Sequence, residues 1–253
     1  MNPARRLFFV WLFVCLPLSA MAQCPDKEIR VGWEPWPPYA MMRDGRLTGL
    51  DLDMIRLLLD EMGCSYRFIE RPWKRLLLEV EQGKLDLASG ASKTAERQQY
   101  GLFSHSYRTE SAVLLVRRTA TVTPLSLDDV VAQQFRLAIT RGYYYGDDFD
   151  RLNQQPAFRA LLQPSKEDRM NLKKLAAGRV DGVLADPFAA AARLREEGLT
   201  DQVRVQMTVH ANEVYFLLSR QTMSAAFVEQ LDQALTKVRA DGRYQAIIDQ
   251  YLN

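Results

Sequence analysis

The hydrophobic pattern of this chain alternates between two spacings. Short apolar runs typical of strands cover residues 29–33, 66–70, 112–116, 136–140, 179–185 and 214–219. Between them, apolar residues recur every three or four positions, as in segment 51–62, where Ile55, Leu59 and Met62 share one helical face. The same spacing predicts helices over 125–132, 171–177, 224–240 and 244–252. This order of strand, helix, strand and helix predicts an α/β fold with mainly parallel sheets.

The first 22 residues have the pattern of a secretory signal peptide. Arg5 and Arg6 precede an apolar run over 7–18, and Ala20 and Ala22 are small residues at the positions that a signal peptidase reads. The run is shorter than the ~20 apolar residues that a spanning helix needs. We therefore predict cleavage after Ala22, export to the periplasm, and a soluble mature protein without a second membrane-spanning run.

Composition and charge narrow the class of partner. The chain has 33 basic and 31 acidic side chains, and loss of Arg5 and Arg6 with the signal peptide leaves 31 of each. A neutral surface is a poor match for nucleic acid or for an anionic membrane. The cysteines lack metal-ligand spacing, and two histidines are too few for a zinc site. We expect no metal, no other cofactor and a monomer.

Two cysteines, Cys24 and Cys64, remain after the predicted cleavage. An even pair in an exported chain indicates a disulfide, with two free thiols as the alternative. Cys24 precedes the strand at 29–33 and Cys64 precedes the strand at 66–70. In a βαβ unit, both would lie at the same edge of neighbouring parallel strands. On the loop-entropy model such a bond stabilises by about 4 kcal/mol.

The segment that follows the strand at 85–88 is suited to an anion. Ser89, Gly90 and Ser92 are small residues that leave backbone N–H groups accessible and add hydroxyl groups. Thr94 has the character of a helix N-cap, which places Arg97 in the first turn. A helix N-terminus, bare amides and a guanidinium together favour a carboxylate. A capped loop with a solvated arginine is the alternative interpretation.

A short motif occurs twice along the chain. Segments 83–86 and 178–181 each consist of glycine, a basic residue, an apolar residue and aspartate, followed by a strand. The repetition suggests that the second half of the chain repeats a local unit of the first. It favours two α/β lobes over one continuous domain.

Seven motifs follow one another along nearly the whole mature chain. They are Ile29-Arg30-Val31-Gly32 with the aromatic–proline turn, Gly49-Leu50-Asp51-Leu52-Asp53, Gly83-Lys84-Leu85-Asp86, Thr94-Ala95-Glu96-Arg97, Phe103-Ser104 with Tyr107, Gly178-Arg179-Val180-Asp181, and Asp241-Gly242-Arg243-Tyr244. In this order, behind a signal peptide, the series resembles the bacterial extracellular solute-binding proteins of family 3, the periplasmic amino-acid-binding components of ABC transporters.

The resemblance implies a fold and a function. The fold would be the two-lobed periplasmic-binding-protein type II fold, with lobe one at 23–109 and 213–253 and lobe two at 110–212. The crossing segments 109–111 and 211–213 would form the hinge. The protein would capture a small polar ligand, most simply an amino acid or related carboxylate, by closure of the lobes. It would then deliver the ligand to a membrane ABC permease, without catalysis.

The resemblance also implies a ligand site, residue by residue. Arg97 matches the arginine that holds the ligand α-carboxylate, and Ser92 matches a residue that helps to bind it. Ser89 and Gly90 match positions at the α-amino group, and Asp186 matches the lobe-two carboxylate that pairs with the ammonium. Because Pro187 follows it, Asp186 is equally well explained as a helix N-cap.

The aromatic residues of the site depart from the usual family pattern. Trp36 and Trp73 match the two walls of the pocket, although either could be a core residue. Where amino-acid binders usually carry small hydroxyl residues after a glycine, this chain has Gly142-Tyr143-Tyr144. With the Trp-Pro-Pro-Tyr turn, this pattern resembles a divergent branch of the family. The rings favour an aromatic or cationic ligand, whereas Lys93 favours an acidic one, so the ligand stays open.

Two other functions fit the same fold. Some proteins of this type are periplasmic dehydratases that act on prephenate-like or arogenate-like cyclohexadienyl acids. Such an enzyme needs a proton-transfer group near a carboxylate site, and Glu34 and His105 are the candidates. A ligand-sensing module for a receptor is the third possibility. Turnover of a cyclohexadienyl acid would identify the enzyme, and neighbouring permease genes would favour transport.

Overall fold

In the computed structural model, which describes residues 24–252, strands and helices alternate along most of the chain. The strands are β1 (Ile29–Trp33), β2 (Met41–Arg43), β3 (Arg46–Thr48), β4 (Tyr66–Glu70), β5 (Leu87–Ser92), β6 (Gly101–Phe103), β7 (Arg108–Arg117), β8 (Leu137–Thr140), β9 (Leu162–Ser165), β10 (Gly182–Ala185) and β11 (Val203–Ser219). The helices are α1 (Leu50–Glu61), α2 (Trp73–Glu81), α3 (Ala95–Tyr100), α4 (Asp129–Ala132), α5 (Asp147–Leu152), α6 (Pro156–Leu161), α7 (Asp168–Ala176), α8 (Pro187–Glu196), α9 (Ala225–Ala240) and α10 (Arg243–Leu252).

The predicted signal peptide and its cleavage site lie outside the described residues. Within 24–252, no helix combines the length and the apolar character needed to cross a membrane.

One nine-stranded sheet runs through the molecule in the order β4-β1-β5-β11-β7-β10-β8-β9, with β6 also paired to β11. At one end, β1 lies parallel to β4 and β5. At the other end, β8 lies parallel to β9 and β10. The antiparallel strands β7 and β11 lie between these two groups. The predicted α/β class, with two parallel groups of strands, is confirmed.

Strand β11 is 17 residues long and serves both groups of strands. Its last part, from Val214, pairs with β5, and the stretch from Val203 to Val214 pairs with β7. The sequence predicted only 214–219, because the earlier part of β11 alternates polar with apolar residues and contains no apolar run. The predicted hinge segments lie opposite each other here, with Ser111 beside Ala211.

Most other predicted elements are present with shifted ends. The strands at 29–33 and 66–70 are confirmed. The predicted strand at 179–185 begins only at Gly182, because the residues before it form the turn out of α7. The predicted helix at 125–132 is shorter, since only Asp129–Ala132 is helical.

The two aspartates of the repeated motif make the same contacts. Asp86 accepts hydrogen bonds from the backbone N–H and the guanidinium of Arg30, at 2.8 Å each. Asp181 accepts the corresponding bonds from Arg136 at 2.8–2.9 Å. Each arginine also donates to the carbonyl of the motif's own glycine, at 2.8 and 3.2 Å. Each aspartate therefore ties one parallel strand to the start of its neighbour.

Buried apolar side chains form separate clusters on the two sides of the crossing strands. One large cluster packs α1 and α9 against the sheet and includes Leu58, Phe216 and Leu231. Another, on the opposite side, includes Phe149 and Phe158. The predicted disulfide between Cys24 and Cys64 is present, with Cα atoms 5.3 Å apart. It joins the segments that lead into the parallel strands β1 and β4.

Candidate ligand-binding site

A cavity lies at the carboxyl ends of β1 and β5, where ligands bind in α/β sheets. It encloses about 540 Å³, including the part open to solvent. The loop after β8 and strand β7 complete its wall. The predicted site residues that line it are Trp36, Trp73, Ser89, Gly90, Ser92, Arg97, Tyr143 and Tyr144. The other two lie beside this wall, because the Gly142 carbonyl accepts a hydrogen bond from Arg97 and Asp186 accepts one from the Tyr39 hydroxyl.

Arg97 is held at the start of α3 with its guanidinium in the cavity wall. The predicted N-cap is confirmed, because the Thr94 hydroxyl accepts a hydrogen bond from the Arg97 N–H at 3.2 Å. The guanidinium donates to the carbonyls of Ser92 and Gly142, both at 2.9 Å. Only 6% of Arg97 is exposed, and burial lowers the pKa of its guanidinium. Among residues 24–252 it forms no ion pair, so the cavity wall holds a buried cation without an anion.

Gly90 allows a close approach between β5 and the residues below it. Its φ is +73°, and a Cβ at this position would lie 3.1 Å from Asp51 Oδ2 and 3.3 Å from Arg108 Nη2. The expected free amide at Gly90 is wrong, because its N–H donates to the Tyr107 hydroxyl at 2.9 Å. The neighbouring Ser89 hydroxyl oxygen is buried and has no hydrogen-bond partner in the described part of the chain.

Three aromatic rings close one side of the cavity. Trp36 is fixed by two backbone hydrogen bonds with Ala40, at 2.7 and 2.9 Å. Trp73 begins α2, and its indole N–H donates to the Gly142 carbonyl at 3.1 Å. The Tyr143 ring lies edge-on to both tryptophans, with centroids 5.9 and 6.4 Å away. The two walls that the resemblance implied are therefore joined by a third ring from the loop after β8.

Glu34 links Tyr143 to Trp73. Its carboxylate accepts hydrogen bonds from the Tyr143 hydroxyl at 2.7 Å and from the Trp73 backbone N–H at 2.8 Å. Burial raises its pKa to about 7. The sequence pointed to Glu34 only as a candidate proton-transfer group for the enzymatic alternative. Its place directly after β1 was the available signal.

A buried ion pair behind Gly90 was not predicted. Arg108 donates to both carboxylate oxygens of Asp51 at 2.8 and 2.9 Å, with 3% and 5% of the two side chains exposed. The guanidinium carbon also lies 4.0 Å from the centre of the Tyr39 ring. Asp51 lies in the first turn of α1, where the helix dipole favours a negative charge. No local pattern marked Arg108, because its partner lies 57 residues away in the chain.

Glu110 also lines the cavity and was not predicted. It follows Arg108 by two residues on β7, and the shortest distance between their charged atoms is 3.9 Å. Burial raises the pKa of the Glu110 carboxyl to about 8. The sequence gives little indication that Glu110 belongs to a site, because a glutamate on a solvent-exposed strand would show the same pattern.

Asp186 acts as the N-cap of α8. Its Oδ1 accepts hydrogen bonds from the Ala189 N–H at 2.8 Å and from the Tyr39 hydroxyl at 3.1 Å. Its Oδ2 is buried without a hydrogen-bond partner among the residues described. Burial raises the pKa of Asp186. The structural interpretation of this aspartate is confirmed, and its pairing with a ligand ammonium stays a prediction.

Two residues with possible chemistry, His105 and Lys93, lie away from the cavity wall. The His105 ring is 72% exposed and lies beside Asp232 on the surface. The Lys93 ammonium lies over the rings of Phe103 and Tyr215, so it gives no support to an acidic ligand. Across residues 24–252, no group of three or more His, Cys, Asp or Glu side chains is placed to hold a metal ion.

Two groups of parallel strands that are joined by crossing strands, with a lined cavity between them, define a two-lobed protein of the periplasmic-binding-protein type. The family model of bacterial extracellular solute-binding proteins, family 3, matches residues 29–253. The chain belongs to this family, as the sequence motifs predicted.

Several known proteins are similar along most of their length. The arginine-binding periplasmic protein of Mannheimia haemolytica is 26% identical, over 98% of this chain and 98% of that protein. The histidine-binding periplasmic protein of Salmonella typhimurium is 23% identical, over 93% of this chain and 91% of that protein. A solved histidine kinase sensor domain with similarity to periplasmic binding proteins has a TM-score of 0.79 at 20% identity, covering 90% of this chain and 96% of its own.

Proposed function

We propose that this protein binds an amino acid in the periplasm and delivers it to an ABC permease by closure of two lobes. The observation that carries the proposal is the buried guanidinium of Arg97, which lines the cavity and has no carboxylate partner among residues 24–252. A buried charge is costly unless an opposite charge completes it. A ligand carboxylate would do so, with bidentate geometry that lysine could not reproduce.

The surrounding residues take complementary parts in this proposal. Ser92 lies beside Arg97 and assists with the carboxylate, while Ser89 and Gly90 lie on the side of the ligand amino group. The unpartnered Ser89 hydroxyl oxygen is available to accept a hydrogen bond from an ammonium. The rings of the cavity wall cover the rest of the ligand.

Contacts across the cavity support closure as the mechanism. The Tyr39 hydroxyl donates to Asp186, and the Tyr143 hydroxyl donates to Glu34, so each side of the cleft holds the other. We assign lobe one to 23–109 with 213–253 and lobe two to 110–212. The similar proteins are named as periplasmic binding proteins. We propose the same compartment, reached through cleavage after residue 22, and a monomer as the active form.

We further propose that binding occurs without turnover. The enzymatic alternative relied on Glu34 and His105, and only Glu34 lines the cavity. Mixing the protein with prephenate or arogenate and following their absorbance tests this point, since consumption of either would contradict it. A sensing role would use the same site. Loss of ligand uptake in a strain that lacks the gene supports transport, and unchanged uptake refutes it.

The test of the proposal is a thermal-shift screen of the purified protein against amino acids, small organic acids and polyamines. A ligand at about 100 times its dissociation constant stabilises the folded state by about 2.7 kcal/mol. We expect a clear shift with at least one amino acid. A response to polyamines or dicarboxylic acids alone would contradict an amino-acid ligand.

The matched variants are Arg97→Ala and Arg159→Ala. Removing one partner of a buried charge pair costs about 2 kcal/mol or more, which weakens binding at least about 30-fold. Arg159 is exposed on α6, so its removal should leave affinity unchanged. Calorimetric titration measures both. Equal affinity for Arg97→Ala and the unsubstituted protein would refute the site assignment.

A further inference from the structure

One face of α8 packs against the aromatic–proline turn that follows β1. Asp186, Ala189 and Arg193 follow one another at helical spacing, so they share this face. Ala189 is only 1% exposed and packs in the apolar cluster that also contains Tyr39 of the turn. In the proposed assignment, the turn belongs to lobe one and α8 belongs to lobe two. The contact between them therefore spans the cleft.

Arg193 reaches from α8 to the opposite side of the cleft. Its Nη2 donates to the Pro35 carbonyl at 2.7 Å, although 158 positions separate the two residues in the chain. Its Nη1 donates to Glu196 at 2.9 Å, and its Nε lies 3.9 Å from an oxygen of Asp168. Only 12% of the side chain is exposed. Two carboxylates of its own lobe therefore hold the guanidinium in place, while one of its N–H groups bonds to the other lobe.

A second hydrogen bond joins the same two elements. The Tyr39 hydroxyl donates to Asp186, the N-cap residue of α8, at 3.1 Å. On its own side, the turn is braced by the two backbone bonds between Trp36 and Ala40. Since a hydrogen bond acts over only a short distance, separation of the lobes must break both bonds between α8 and the turn.

The bond between Arg193 and Pro35 lies apart from the ligand site. Both residues fall outside the set that lines the cavity in the described part of the chain, so a ligand on Arg97 would leave their bond intact. A molecule enclosed between two lobes leaves only after the lobes separate, so a bond that resists separation slows its release. The same bond forms only after the lobes have met, so it has little effect on the rate of binding.

We propose that the bonds from Arg193 to Pro35 and from Tyr39 to Asp186 form a latch that keeps the cleft closed and slows release of the bound amino acid. Arg193 is thus a positioning residue, which sets affinity without touching the ligand. The inference rests on the proposed function and names the residues that hold its closed form.

The tryptophans of this protein report on the latch without any ligand. Of the four in the chain, Trp11 lies in the predicted signal peptide, and Trp33, Trp36 and Trp73 all line the cavity. Acrylamide reaches these rings more easily when the cleft opens, so the quenching constant of their fluorescence measures opening.

The matched variants are Arg193→Gln and Arg195→Gln. Both remove one positive charge from α8, but Arg195 is exposed. Arg193→Gln should raise the quenching constant of the ligand-free protein, and Arg195→Gln should leave it unchanged. The rise should persist in a Trp36→Phe background, because Trp73 belongs to α2 and not to the turn. This background separates opening of the cleft from a local change beside Pro35.

Two further measurements complete the test. Tyr39→Phe removes the second bond and keeps the ring, so it should also raise the quenching constant. Stopped-flow kinetics then uses the standard amino acid that gives the largest thermal shift. Its dissociation from Arg193→Gln should be at least about tenfold faster than from Arg195→Gln. Its association should stay within about twofold.

Each result decides the inference. An unchanged quenching constant in Arg193→Gln overturns the latch; where that variant does not fold, an unchanged constant in Tyr39→Phe does so. Equal dissociation rates of the two arginine variants overturn it, and so does slower association alone, which would place Arg193 in ligand capture. If no amino acid binds, the proposed function fails, and the quenching constants still decide whether the latch exists.

Discussion

The buried pair of Asp51 and Arg108 makes a demanding test of how this fold is stabilised. The substitution Asp51→Asn keeps the side-chain volume and removes the charge. Arg108 would remain 97% buried without its carboxylate, and the new amide group would place N–H donors against the donors of the guanidinium. The pair joins the first turn of α1 to the first residue of β7, so its loss affects the base of the cavity.

The expected cost follows from the burial of both groups. Breaking a buried ion pair by removing one partner typically costs about 3–5 kcal/mol, because the other charge stays buried and unpaired. Against a usual total stability of about 5–15 kcal/mol, this is a large fraction. For a chain of this size, the melting temperature should fall by roughly 6–20 °C.

Urea unfolding followed by circular dichroism measures the change, with Asp241→Asn as the control. Asp241 also makes bidentate bonds to an arginine, Arg243, but both side chains are about 40% exposed. The control should leave the midpoint unchanged. The double substitution Asp51→Leu with Arg108→Met should recover most of the lost stability, because no unpaired charge remains. A loss below about 1 kcal/mol in Asp51→Asn would refute the reasoning.

Three further outcomes are expected. Replacing Cys24 and Cys64 together by alanine removes the bond that closes a 40-residue loop, which should lower the free energy of unfolding by about 4 kcal/mol. Urea titration measures the change, and an unchanged midpoint would contradict this expectation. Although burial acts to raise it, hydrogen bonds from Arg30 hold the pKa of Asp86 below its usual value, so this carboxylate stabilises the fold above about pH 4 and the contribution is lost as pH falls further. Asp86→Asn should therefore flatten the melting temperature between pH 5 and pH 2, in buffers of matched ionic strength, and a curve parallel to that of the unsubstituted protein would argue against it. Asp186→Asn should keep its helix cap but lose the charge that pairs with a ligand ammonium, so calorimetric titration should show binding weakened by about tenfold; unchanged affinity would argue against a role of Asp186 in binding.

The local parts of this structure could be predicted from the sequence because local residues determine them. Thr94 and Asp186 cap helices through bonds that reach only three residues along the chain. The strands at 29–33 and 66–70 consist of patterns that need no distant partner. Their order, strengthened by the family motifs, was enough to predict the two-lobed fold.

The parts that could not be predicted depend on distant partners. Arg108 is an arginine in a strand, and nothing near it shows that it meets Asp51, 57 residues earlier. In the same way, the residues next to Glu110 in the sequence give no sign that its side chain lines the cavity. Likewise, the amide of Gly90 was expected to be free, and only the packing of Tyr107 beneath it explains why it is not.

The continuous course of β11 through both halves has a mechanical consequence. Its pairing with β7 extends over Val203–Val214, with two register shifts and no gap at the passage between the lobes. Rotation of one lobe against the other can therefore be taken up as added twist along a paired ribbon, without breaking backbone hydrogen bonds. The energetic cost of twisting such a ribbon is shared by many residues, so the change in backbone conformation at each residue is small. The balance between open and closed forms is then set by side chains at the mouth of the cleft and by the ligand.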